Sequence, residues 1–380
     1  MKFVVTVMVR DEADIIAAMV EHHMAQGADL IIATDNGSVD GTTEILQRYA
    51  DLGVLELHHD PVYRKQQHAL VTGMARRAHT EHGAEWVINA DADEFWAPCD
   101  KRLTLRSALE GIPLSLDAFT VPVTNLVGPP AMRGSGIDRL LWRDVRTNEQ
   151  LQAIGIYAQP TSDAVHRGDP AIEVSQGNHF VSLKSNGQPE SALALEVLHL
   201  PWRSWLQLEQ KVINTGRSYE ANPDLRPSKN HHGMADYRRY LAGRLWYAYL
   251  LRQPSEKDLV GDESDGAFVH DTWLRDHLHE LADRALLPDL VAACLDSSRD
   301  EPIDPGDHET AASLGRLFMA LERERDEALK AVDERDRAIA ERDRFKAAAT
   351  PPRIRDDWLR VTRRTLGAIK QRLRGSRRGL

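Results

Sequence analysis

The chain has 380 residues, enough for one large domain or two with ample core. Its formal charge of −10 argues against a nucleic-acid partner, and its two cysteines, Cys99 and Cys294, argue against a disulfide framework and point to a reducing compartment. The apolar N-terminus is cut off by Arg10, Asp11 and Glu12 too soon for a signal peptide, and no stretch approaches the ~20 apolar residues of a membrane span. A cytoplasmic protein is expected.

Phe3 to Val9 is a continuous β-rich run, the pattern of a strand buried on both faces. Ile15 to Gln26 has helical spacing and Gly27 stands at its stop; Leu30 to Ala33 is a second strand, ending in the turn cluster Thr34 to Thr42. A helix from Thr43 to Ala50, a strand Val54–Leu57, a helix Gln66–His82 and a strand from Trp86 follow. Four strands alternating with three helices predict βαβ units and a mostly parallel sheet, whose ligands sit beyond the carboxyl ends of the strands. Arg10, Asp35 and Asp91 fall at such ends.

The fourth strand, Trp86-Val87-Ile88, runs into Asp91-Ala92-Asp93-Glu94. Residues two apart at a strand end share a side, so Asp91 and Asp93 repel unless a cation lies between them; Mg²⁺ or Mn²⁺ is the natural candidate. Asp-x-Asp alone also serves as a solvated turn cap, and the convergence of Arg10 and Asp35 on the same edge favours the metal. Asp35 is placed to meet a ligand at that edge, or to cap its turn. Arg64 and Lys65 open the third helix, where they can approach a phosphate or stay solvated.

Further on, Leu116–Val123, Phe180–Leu183 and Leu193–Leu200 read as strands, and Pro201–Tyr219, Tyr237–Leu251 and Thr272–Leu295 as helices. Residues 216–300 are expected as a helical portion packed on a sheet domain of residues 1–215, and 301–312 read as a linker with Pro302 and Pro305. Residues 313–348 alternate in charge sign, a weak coiled coil able to carry a homo-oligomer or a solvated helix. The tail, 349–380, holds ten Lys/Arg from Arg353 onward against Asp356 and Asp357. With Trp358, Leu359 and Leu366 interleaved it is either a basic amphipathic helix for peripheral contact with the inner membrane face or a disordered tail.

Four stretches in register resemble family 2 glycosyltransferases, in particular the branch with short catalytic domains. These are Val9-Arg10-Asp11-Glu12-Ala13-Asp14-Ile15-Ile16, Thr34 to Thr42, Asn89-Ala90-Asp91-Ala92-Asp93-Glu94-Phe95 (the D-x-D-E-F motif) and His199-Leu200-Pro201-Trp202-Arg203-Ser204. Asp11 replaces the family's usual Asn. The resemblance spans residues 3 to 215 and implies a GT-A fold, a nucleotide-diphosphate sugar donor (UDP-linked by analogy) and inverting transfer to an acceptor hydroxyl on a glycan, lipid-linked sugar or protein.

It implies Asp91, Asp93 and His199 as metal ligands, Arg10, Glu12, Asp35, Arg64, Asp91 and Arg203 around the donor, and a carboxylate base, for which Asp169 and Glu173 are the candidates. A nucleotidyltransferase would need a Gly-rich loop after the first strand, which Arg10 to Asp14 lacks. A non-catalytic sugar-nucleotide-binding scaffold is the remaining alternative. The histidine pairs His22-His23, His58-His59 and His231-His232 lack the companions of a structural zinc site.

Overall fold

The structure is a computed structural model that describes residues 1–62, 67–222, 226–227, 231–259, 266–349 and 364–367. It divides into two units, Met1–Met319 and Ala320–Leu380. In chain order the elements are β1 (Phe3–Val9), α1 (Ile16–Ala25), β2 (Leu30–Asp35), α2 (Thr42–Asp51), β3 (Leu55–His59), α3 (Gln67–Thr80), β4 (Trp86–Ala90), β5 (Glu94–Pro98) and α4 (Leu105–Gly111). Then come β6 (Ala118–Val121), β7 (Val123–Val127), β8 (Trp142–Asp144), α5 (Asn148–Ala153), β9 (Asp163–Arg167), β10 (Leu195–His199) and α6 (Trp205–Glu220). The rest are α7 (His232–Leu241), α8 (Leu245–Arg252), α9 (Glu256–Leu259), β11 (Phe268–His270), α10 (Trp273–Ala282), α11 (Pro288–Leu295) and α12 (Pro305–Ala349).

The fold is α/β, as expected. The main sheet has the order β3-β2-β1-β4-β9-β6; β3, β2, β1 and β4 are parallel, and β9 is antiparallel to both neighbours. Alternation along the buried strands sends side chains to two cores. Phe3, Val5, Val7, Ile31, Trp86 and Ile88 pack with α1, α2, α10 and α11, whereas Val4, Ile32 and Val87 pack with α3. A second sheet, β11-β8-β7-β10-β5, takes β5 directly after the acidic turn that leaves β4. A third cluster, around Trp202, Leu208, Val212, Tyr237 and Tyr249, joins α6, α7 and α8.

Several expectations are corrected. Phe180–Leu183 is no strand: it makes one isolated bridge, Val174 with Val181, flanked by Ser175 N–Phe180 O and Ser182 N–Glu173 O hydrogen bonds, and Phe180 is exposed. Tyr237–Leu251 is broken between α7 and α8 at Gly243, whose φ of +68° ends the first helix. The expected boundary at residue 215 falls inside α6.

The linker expected at 301–312 does not exist: Pro302 bridges to Ala131, Ile303 N donates to Pro130 O, and Ala311 and Ala312 are buried. Pro305, expected within that linker, is the first residue of α12, where a missing N–H costs nothing.

In the second unit the described helix runs to Ala349, with Leu321, Leu329, Val332 and Ile339 exposed among neighbouring ion pairs such as Arg335–Asp336 at 2.9 Å. The basic tail lies outside the described residues apart from 364–367. Among the described residues no helix is long and apolar enough to cross a membrane.

Candidate functional site

Two turns at the carboxyl edge of the main sheet lock together. After β1, Asp11 takes the left-handed backbone (φ 55°), a conformation that Asp and Asn tolerate best after glycine. Its N–H donates to Ser38 Oγ, and its carboxylate accepts from Val39 N at 2.8 Å and Asn214 Nδ2 at 3.0 Å. After β2, Asp35 accepts from Ser38 N, Ser38 Oγ and Thr43 Oγ1 at 3.1, 2.5 and 2.7 Å. Its buried carboxylate therefore builds the turn. Arg10 bridges both turns, donating to Asn36 O at 2.7 Å.

The turn between β4 and β5 divides its acids. Asp93 Oδ2 lies 2.6 Å from Lys211 Nζ and 3.5 Å from both Arg203 Nη1 and His199 Nε2. Burial alone would raise its pKa, but Lys211, His199 and Arg203 outweigh that and hold it well below the usual range. Asp91 is raised, by burial and then by the charge of Asp93. Asp91 Oδ1 accepts from Asn178 Nδ2 at 3.2 Å. Glu94 accepts from Asp91 N at 2.9 Å and is pushed well above the carboxylate range by burial and by the charges of Asp163 and Asp91.

Arg203 is 0% exposed. Its guanidinium is spent on Asp14 (two contacts of 3.0 Å), on Glu12 and on Asp93. It is a buried brace and reaches no open surface where a phosphate fork would stand. Glu12, its partner, is raised to about 7 by burial, against the pull of Arg203 and Lys211.

These groups frame a cavity of about 190 Å³ lined by Arg10, Glu12, Asn36, Gln67, Asp91, Asp93 and one face of α6: Lys211, Asn214, Thr215 and Ser218. Ser204 caps that helix, and the adjacent stripe buries Leu208, Val212 and Tyr219. The sequence reading missed Lys211. The polar stripe at 211, 214, 215 and 218 was its only trace, and such a stripe does not say what it faces.

Of the expected residues, Arg10, Glu12, Asp91 and Asp93 meet at the cavity; Asp35, His199 and Arg203 stand behind it. Arg64 lies outside the described residues. The two base candidates are elsewhere. Asp169 follows Gly168, whose N donates to Glu85 O, so it lies at the amino end of β4, opposite Asp91. Glu173 is exposed and pairs with Arg76 and His68 along α3. The reason is topological: β9 runs antiparallel to β4 and carries the chain away from the acidic turn.

The donor types for a hard cation are present. Asn125 Oδ1 lies 3.0 Å from His199 Nδ1, which turns Nε2 toward Asp93. Lys211 competes for the same carboxylate, and among the described residues no group of three or more His, Cys, Asp or Glu could hold a metal ion as they stand.

Residues 3–113 match the sequence model described as Glycosyltransferase family 92. The match supports the glycosyltransferase expectation and does not single out family 2. No curated protein matches the chain.

Similar solved structures include Staphylococcus aureus TarS 1-349 (13% identity, 86% of this chain and 92% of that one, TM-score 0.34). The same protein in complex with UDP-GlcNAc matches at 13% identity, 79% and 92% coverage and TM-score 0.34. The Mycobacterium tuberculosis glucosyl-3-phosphoglycerate synthase, in complex with Mn²⁺, UDP and glucosyl-3-phosphoglycerate, matches at 14%, 44% and 56%, TM-score 0.25. Scores this low establish no common fold. The matched residues 3–113, under a third of the chain, are glycosyltransferase-type sequence; they carry Arg10, Glu12, Asp35, Asp91 and Asp93, and they stop short of Arg203 and Lys211.

Proposed function

We propose that the protein transfers a sugar from a nucleotide-diphosphate sugar, UDP-linked in the first instance, to an acceptor hydroxyl with inversion. The observation that carries this reading is the cavity at the strand ends, where glycosyltransferase-type sequence supplies Arg10, Glu12, Asp91 and Asp93, and α6 adds Lys211. Ligands of such sheets bind at that edge. Arg10 and Lys211 offer positive charge to a diphosphate, and Arg203 holds Glu12 and Asp93 in place from below.

Mg²⁺ or Mn²⁺ belongs to the proposal: Asp91 and Asp93 would hold it, directly or through water, with His199 as a further contact, and it would neutralise the charge growing on the departing diphosphate.

Thermal unfolding against UDP, GDP and their sugar conjugates, with Mn²⁺ or with EDTA, tests both parts. A ligand at about 100 times its Kd adds about 2.7 kcal/mol, a readable shift. Stabilisation by one nucleotide that needs Mn²⁺ supports the whole reading. Stabilisation unchanged in EDTA removes the metal and leaves Lys211 as the compensating charge. No stabilisation by any nucleotide favours a scaffold.

A further inference from the structure

We propose that His179, braced by Asp163, is the base that takes the proton of the attacking hydroxyl, an inference that rests on the transfer reaction proposed above.

β9 is antiparallel to β4, so its first residue, Asp163, comes level with the carboxyl end of β4 where Asp91 follows. The chain after β9 first moves away, then returns along α3. Arg76 Nε donates to Ile172 O, Val174 N to Thr72 Oγ1, and Gln176 Nε2 to Gln67 Oε1. It arrives at Asn178, held at φ +63°, whose side chain donates to Asp91. The next residue, His179, has Nδ1 2.7 Å from Asp163 Oδ1. Asp163 Oδ2 is buried with no hydrogen-bond partner among the described residues.

A carboxylate accepting from Nδ1–H fixes the tautomer and leaves Nε2 with its lone pair. The Asp163 side chain is 2% exposed and that of His179 is 35% exposed, so the imidazole, not the acid, meets incoming molecules. Burial would lower its pKa, but Asp163 and Asp91 together raise it, which strengthens it as a base. The neighbouring candidates at this edge are engaged: Glu94 accepts from Asp91 N, Glu12 pairs with Arg203, and His199 lies between Asn125 and Asp93.

In the step, the hydroxyl oxygen bonds to C1 of the sugar as its proton passes to Nε2. The bond from C1 to the diphosphate oxygen breaks, and its electron pair leaves with the nucleoside diphosphate. Water can take the place of the acceptor.

The experiment follows nucleoside diphosphate release from UDP-glucose, UDP-N-acetylglucosamine and GDP-mannose, with water as acceptor. It uses the full chain as wild type, His179→Ala, His179→Gln and Asp163→Asn, alongside the thermal shift given by UDP and GDP. Release is expected to fall about 10²- to 10⁴-fold in both His179 variants, the span of a lost general base, with the nucleotide shift intact. Added imidazole should restore release about tenfold in His179→Ala alone, since the glutamine fills the space that the small base needs.

Release at the wild-type rate in His179→Ala overturns the proposal, as does loss of release together with the nucleotide shift and without imidazole rescue. A wild type that is stabilised by nucleotide but releases none overturns the base and leaves the donor site standing. A wild type that no nucleotide stabilises overturns the transfer reading, and this base with it.

Discussion

Asp91 and Asp93 leave the same strand two residues apart and end in opposite surroundings. Asp93 faces Lys211, Arg203 and His199 and is held ionised; Asp91 faces Asn178, with the charge of Asp163 nearby, and its charge is disfavoured. One carboxylate is ion-paired within a buried charge network, and the other is met by a side-chain amide and, among the described residues, no cation. A motif of two acids thus holds two electrostatic environments, and only the partners distinguish them.

The strongest way to break this comparison is Asp93→Asn. It strips a charge from beside buried Arg203 and should destabilise the fold by ~3–5 kcal/mol, read by urea denaturation. An equal loss in Asp91→Asn would refute the division.

Next comes pH. His166, fully buried on the β9 side, lies 3.1 Å from Asn89 Nδ2 and is pushed down to about 4 by burial. Its neutral form is favoured in the folded chain. Its stabilisation is therefore complete above the unfolded value of about 6.5 and is lost as pH falls toward 4, about 3 kcal/mol in all. His166→Gln should make the denaturation profile shallower in that window, with buried His22 and His23, lowered in the same way, supplying the remaining slope.

Gly216→Ala comes third. A Cβ there would stand 2.2 Å from the Tyr237 ring, so α7 must shift from α6 at a cost of ~1–3 kcal/mol in urea denaturation. Because α6 carries Lys211, the nucleotide-induced thermal shift should shrink as well.

The smallest effect is that of Asp91→Asn. It should leave stability within about 1 kcal/mol of wild type, since it removes a charge that the folded state disfavours, while donor-dependent stabilisation disappears.

The first four strands and three helices were legible because each is short, strongly patterned and bounded by turn residues; Asp91 and Asp93 were legible because an apolar run stops at them. What could not be read was long-range. Lys211 lies on a helix whose polar stripe has no label, and β9 returns antiparallel, so the residues near Asp91 are 163 and 178 and not the acids at 169 and 173. Arg203 was noticed for its charge, but burial turned its guanidinium inward. Pro305 suits a linker and a helix's first residue equally, and only packing shows that α12 begins there.

The ion pair between Asp93 and Lys211 spans 118 positions. At about 5–20 residues per second, Lys211 is synthesised some 6–24 s after Asp93. For most of that time the acidic edge has Arg10 but none of the cations that meet Asp93. The nascent sheet should therefore stay open at this corner until α6 is made, and a chain truncated before residue 211 should expose that edge to chaperones or proteases.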